Sequence, residues 1–63
     1  MENKIGSLLK SMETEFTEAI NDTAKFTQGN NSAGTRVRKA MQNIKALAQQ
    51  VRTEVQEQKN VLV

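Results

Sequence analysis

Two long stretches of this sequence are free of the residues that break helices. Proline is absent, and the three glycines fall at positions 6, 29 and 34, so that Gly29, followed by Asn30 and Asn31, offers a turn near the middle of the chain. These positions predict one all-α unit, with helix one over about residues 4–28, a turn at about 29–31 and helix two over about 32–60. Because so short a turn makes neighbouring helices antiparallel, we expect a two-helix hairpin.

Apolar residues in the first stretch recur at alternating steps of three and four, which places them on one face of a helix. Asn3 is the expected N-cap, and Gly29 is expected just after the C-cap because glycine adopts positive φ without a Cβ clash. The expected apolar face comprises Ile5, Leu8, Met12, Phe16, Ala19, Thr23 and Phe26, with Leu9 and Ile20 beside it.

The second stretch repeats this spacing with smaller side chains. Asn31 or Ser32 is the expected N-cap, and we expect the helix to end near Asn60 and to fray over residues 61–63. The expected apolar face comprises Ala33, Val37, Ala40, Ile44, Leu47 and Val51, with Met41, Ala48, Val55 and Leu62 in the adjoining row.

A core built from these residues is aliphatic and thin, since 37% of the 63 residues are apolar and only 3% are aromatic. Chains of this size seldom bury enough apolar surface to be stable without reinforcement. Cys and His are both absent, which excludes disulfides and thiolate or imidazole metal sites. Because each apolar face is wider than one neighbouring helix covers, we expect a four-helix bundle or coiled-coil-like homodimer; a marginally stable monomer is the alternative.

The residue types argue against an enzyme. Without His, Cys or Tyr, and without a Gly-rich loop after a strand, the sequence offers no candidate catalytic residue or cofactor-binding motif. The carboxylates of helix one, such as Glu13 and Glu18, are expected on a solvated surface and not around a metal. We therefore expect no cofactor, no metal site and no small-molecule substrate.

No apolar run approaches the roughly 20 residues that span a bilayer. The first four residues lack the basic lead and apolar stretch of a secretory signal. We therefore expect a cytoplasmic protein that does not bind a membrane.

The formal net charge of +2 is unevenly distributed. Residues 1–31 contain three basic and five acidic side chains, whereas residues 32–63 contain six basic and two acidic ones. Between residues 33 and 52 there is no carboxylate, and the positive side chains there are Arg36, Arg38, Lys39, Lys45 and Arg52. Such a block is typical of a surface that binds a polyanion.

Two interpretations of these charges remain open. Arg38, Lys45, Arg52 and Lys59 are seven residues apart and line one edge of the apolar face, where they could follow a DNA phosphate backbone. Alternatively, a turn centred at position 30 sets Asp22 opposite Arg38 and Glu15 opposite Lys45, as ordinary salt bridges.

Arg36 and Lys39 fall outside that pairing scheme and are the stronger candidates for function. They lie near the start of helix two, where free backbone N–H groups and the helix dipole favour phosphate oxygens. Gly34 in the same turn permits a close approach, either of a phosphate or of helix one or a partner subunit, and the protein contact is favoured.

The stretch from Gly29 to Ala40, with the sequence Gly-Asn-Asn-Ser-Ala-Gly-Thr-Arg-Val-Arg-Lys-Ala, resembles the bacterial linker-histone-like proteins of chlamydiae and Bacteroidetes. Their short helical members carry a similar Gly-Asn turn followed by Ala-Gly-Thr-Arg-x-Arg-Lys-Ala. The similarity continues more loosely through residues 44–47 and 49–52.

This resemblance implies a small nucleoid-associated protein that binds duplex DNA through its phosphates and compacts it without strong sequence preference, with Arg36, Arg38 and Lys39 in the shared basic motif. From the charge block we add Lys45 and Arg52 to the expected DNA-binding residues. The alternative function is a structural or adaptor hairpin that associates with proteins and uses the basic residues for inter-helix salt bridges.

Overall fold

A computed structural model describes residues 3–62 of the chain. It contains two helices, α1 (Lys4–Thr27) and α2 (Asn31–Leu62), packed side by side as an antiparallel hairpin. The Cα atoms extend over 52 × 20 × 10 Å, which is the shape of a single layer of two helices. The predicted all-α hairpin is confirmed.

The first helix begins as the sequence predicts. The side chain of Asn3 accepts a hydrogen bond from the backbone N–H of Ile5 at 2.8 Å, which makes it the N-cap of α1. The same amide also forms a reciprocal pair with Gln58 of α2, at 3.2 and 3.0 Å. One residue therefore both starts α1 and ties it to α2 at the open end of the hairpin.

The turn combines a helix C-cap and a helix N-cap in three residues. Gly29 has φ of 100°, its N–H donates to the carbonyl of Phe26 at 2.9 Å, and the N–H of Asn30 donates to that of Lys25 at 3.1 Å. This pair of bonds is a Schellman motif, which requires the left-handed backbone that glycine adopts most easily.

The cap of α2 differs from the prediction. We expected Asn31 or Ser32, but the side chain of Asn30 accepts the N–H of Ala33 at 3.1 Å, so α2 begins one residue earlier. At its other end α2 continues through Leu62, two residues beyond the predicted end near Asn60, because no glycine or proline follows Gly34 to stop the helix. Val63, also expected to fray, lies outside the described residues.

The two helices meet along a line of small side chains. Within residues 3–61 the buried apolar side chains are Leu8, Ala19, Ala33 and Ala40. Alanine allows the helix backbones to approach closely, and the longer side chains then lie beside the contact line. As a result Phe16 and Phe26, both expected in the core, remain 47% and 52% exposed.

Polar side chains on one side of this line fix the register of the helices. Asp22 Oδ1 accepts from both Nε and a terminal nitrogen of Arg36, each at 3.0 Å. Glu15 accepts from the amide of Asn43 at 3.3 Å, and at the open end Lys4 lies 3.8 Å from Glu54. All three pairs are symmetric about residue 29.

The salt bridges expected between Asp22 and Arg38, and between Glu15 and Lys45, are therefore wrong. The hairpin is centred on residue 29 instead of 30, so the residue opposite Asp22 is Arg36. The expectation that Arg36 lies outside the ion pairs is wrong for the same reason.

Gly34 accommodates the ring of Phe26. A Cβ added at position 34 would lie 2.7 Å from both Cδ1 and Cε1 of that ring, closer than carbon atoms can approach. Of the two contacts considered for Gly34, the one with helix one is therefore present.

The Gly29 backbone gives a first prediction. Replacing Gly29 by Ala should lower the free energy of unfolding by about 1–2 kcal/mol, because an L side chain is strained at positive φ. The control is Gly6→Ala, which lies in α1 with nothing within 4 Å of the added Cβ and should stabilise by up to ~1 kcal/mol. Urea unfolding at equal protein concentration measures both, and equal effects would contradict the turn geometry.

The register gives a second prediction. A double-mutant cycle of Asp22→Asn with Arg36→Gln should yield a coupling of about 0.5 kcal/mol, as for a partly exposed ion pair. The matched cycle of Asp22→Asn with Arg38→Gln should yield none. Coupling to Arg38 instead of Arg36 would mean that the helices pack in the other register.

The contact between Gly34 and Phe26 gives a third prediction. In a Phe26→Ala background, Gly34→Ala should stabilise the protein by about 1 kcal/mol because alanine is the better helix former. In the natural background the added methyl displaces the ring, and the gain should be lost or reversed. Thermal unfolding of the four proteins measures the difference, and an equal gain in both backgrounds would rule out the contact.

Candidate nucleic-acid interface

Four basic side chains follow one another along the outer edge of α2. Arg38, Lys45, Arg52 and Lys59, here called the basic row, are seven residues apart and all exposed. On a helix that rises 1.5 Å per residue they extend over about 31 Å. Among residues 3–62, ion pairs are formed by Lys4, Lys10 and Arg36, and no carboxylate pairs with the basic row.

The sequence around the basic row explains why it is not neutralised within α2. Charges on a helix interact with residues three and four positions away. For every member of the row, the described residues at those positions are apolar side chains, Gly, Thr or Gln. This spacing was visible in the sequence and could have distinguished the row from the other cations of α2.

Arg36 and Lys39 lie on the opposite edge of α2 from the basic row. The guanidinium of Arg36 is bound to Asp22, whose side chain is only 15% exposed. Lys39 is exposed and borders a shallow groove together with Glu15 and Glu18 of α1. Both cations therefore lie in a locally acidic environment.

The five residues expected to bind DNA are thus divided between two surfaces. Arg38, Lys45 and Arg52 belong to the basic row, and Arg36 and Lys39 do not. Lys59, which we did not include in the expected site, extends the row towards the end of α2. The alternative that the row serves inter-helix salt bridges loses its basis, since the inter-helix ion pairs within residues 3–62 use Arg36 and Lys4.

The described part of the chain offers neither a metal site nor a membrane-spanning helix. Over residues 3–62, no group of three or more acidic, His or Cys side chains is arranged to hold a metal ion. Neither α1 nor α2 has a stretch long and apolar enough to cross a membrane. The exposed basic row is the most distinctive chemical feature of the surface.

Comparison with known proteins identifies the family. The family model described as Histone H1-like protein Hc1 matches residues 6–61, which include nearly all of both helices, the turn and the whole basic row. No curated protein and no solved structure matches the chain. The predicted resemblance to bacterial linker-histone-like proteins is confirmed, and the chain belongs to the Histone H1-like protein Hc1 family, a family of structural DNA-binding proteins.

Proposed function

We propose that this chain binds duplex DNA through phosphate contacts made by the basic row, without strong sequence preference, and helps to organise or compact the bacterial chromosome in the cytoplasm. The observation that carries this proposal is a row of four exposed cations with no carboxylate partner within the described residues. Membership of a histone H1-like family supports it independently.

The length of the basic row suits a duplex. At about 31 Å it is close to the roughly 34–36 Å rise of one turn of B-form DNA. Arg and Lys have long, flexible side chains, so cations at this spacing can reach phosphates on the faces of the backbone that come near α2.

The same surface offers little for reading bases. Neither Trp nor Tyr is present. Phe26 borders the same groove as Arg38, but its ring lies against Gly34 of α2. Stacking on bases requires an aromatic ring whose face is free beside the cations. Phosphate contacts alone carry no direct sequence information, which is why we propose binding that is tolerant of sequence.

In this proposal Arg36 and Lys39 contribute less to phosphate binding than the basic row does. A phosphate that bound Arg36 would have to compete with Asp22 for the guanidinium, and it would approach Glu15 and Glu18 near Lys39. Repulsion by these carboxylates opposes a polyanion. We therefore assign the main phosphate contacts to Arg38, Lys45 and Arg52, with Lys59 continuing the row.

A second candidate function is association with another protein. It is favoured by apolar side chains that the hairpin leaves exposed, such as Leu9 at 51% and Ile20 at 69%. An adaptor of this kind would bind DNA no better than any weakly basic protein does. The following titration therefore distinguishes the two functions.

A titration of duplex DNA at several salt concentrations tests the basic row. If four phosphates are neutralised per row, the logarithm of the binding constant should fall against log salt with a slope of about −3.6. The triple variant Arg38→Gln, Lys45→Gln, Arg52→Gln should reduce that slope by about 3 and weaken binding equally for unrelated sequences.

The matched control is Arg36→Gln, which removes a cation of the same helix that is already bound to Asp22. Its salt slope should change by less than about 1. An unchanged affinity of the triple variant at low salt would refute the assignment to the basic row and would favour the adaptor function.

A further inference from the structure

The hairpin has one polar side and one apolar side. Arg36 and Asn43 of α2 meet Asp22 and Glu15 of α1 on the polar side. Leu8 and the buried alanines mark the contact line between the two helices. The position of a side chain around its helix is its angle from this contact line.

Helical geometry places the exposed apolar side chains of both helices together. On α1, Phe16 and Ile20 lie about 60–120° from the contact line in one sense of rotation, and Asp22 lies on the other side. On α2, Met41 lies about 80–100° from the line in that same sense, and Arg36 lies on the other side. Because the helices are antiparallel, equal senses of rotation lead to the same surface of the hairpin.

This surface, here called the apolar face, is formed by Leu9, Phe16 and Ile20 of α1 and by Val37, Met41 and Val55 of α2. Val37 is half-buried, and the other five are exposed. The basic row lies further round α2 in the same sense and forms one rim of the face. Glu13 lies on the opposite rim, on α1.

The apolar face is large enough for a stable interface. The hairpin is 20 Å wide, and a helix the length of α1 extends for about 36 Å, so the face presents on the order of 700 Å² per chain, close to the roughly 800 Å² per partner of a standard interface. The buried core of one hairpin is mostly alanine. A core so small rarely stabilises a chain of this size without oligomerisation.

We propose that a second copy of this chain covers the apolar face, with the two hairpins stacked face to face and their turns at the same end. In this four-helix bundle, α1 of each copy lies over α2 of the other. The two copies are related by a two-fold axis parallel to the helices.

Charge selects this orientation over its alternative. With the turns at opposite ends, α2 lies over the partner's α2, and the two basic rows face each other along one seam with no carboxylate on α2 between residues 33 and 52. With the turns at the same end, each row lies beside the partner's α1. Since the register is symmetric about residue 29, Glu13 then comes level with the partner's Lys45.

The orientation has a consequence for DNA, which rests on the proposed function. Stacking α1 over the partner's α2 places the two basic rows on opposite sides of the bundle. Each basic row of such a dimer contacts a separate duplex, so the dimer bridges two duplexes. In the other orientation both rows would lie on one side and hold a single duplex.

The apolar face is tested first by Ile20→Glu, which introduces a charge at the centre of the face. Sedimentation equilibrium of the natural chain should give the mass of two chains, and the variant should give the mass of one or lose its helical circular dichroism. Thr17→Glu adds the same charge on the exposed far side of α1 and should remain a dimer. A monomeric natural chain, or an Ile20→Glu variant that still dimerises, would refute the interface; a higher oligomer would do so as well.

The orientation is tested on the intact face, without DNA. The chain has no cysteine, so Gln28→Cys takes a single spin label beside the turn for pulsed electron paramagnetic resonance. Layers of helices pack 8–10 Å apart, so turns at the same end should give a label separation below about 25 Å. Turns at opposite ends should give about 35 Å or more, near the length of α1, and that result would overturn the proposed stacking.

Bridging is measured by capture of a labelled duplex on an immobilised one. The natural dimer should retain the labelled duplex at low salt, and the Ile20→Glu variant should not. Binding of the immobilised duplex without capture of the second would refute bridging while leaving the proposed DNA binding intact. Absence of any DNA binding, with a short label separation, would instead refute the proposed function and leave the dimer.

Discussion

Close contact between two helix backbones along a line of alanines is the constraint on which this hairpin depends. Ala19 of α1 and Ala33 and Ala40 of α2 are all buried. Small side chains allow the helices to approach, but they bury little apolar area themselves. The larger apolar side chains therefore lie beside the contact line, and the hairpin alone buries only some of its apolar side chains.

The same constraint gives the hairpin two unlike surfaces. On the polar side, Arg36 and Asn43 bind Asp22 and Glu15, and these contacts define the register. Glu15, Glu18 and Asp22 of α1 thereby lie beside Arg36 and Lys39 of α2. The cations on the far edge of α2 have no such partner within the described residues, so the small net charge of the chain conceals a locally uncompensated basic row.

Much of the fold could be predicted because it depends on local rules. Asn3 caps the N-terminus of α1, and Gly29 adopts positive φ just after its C-terminus, as these residue types predict. The sequence shows which residues of α2 are cations, but not which of them face α1. The predicted pairing of Asp22 with Arg38 was wrong because the hairpin is centred one residue earlier, which places Arg36 opposite Asp22.

The sequence by itself determined two helices, the caps of α1 and the turn between the helices, because propensity, spacing and backbone conformation act within a few residues. It also determined that α2 carries cations at steps of seven without acidic neighbours three or four positions away. Only the tertiary structure decided that Gly34 receives the ring of Phe26, that Arg36 is neutralised and that the basic row is not. These outcomes depend on the register and rotation of one helix against the other, which contacts between the two helices set and which no single helix contains.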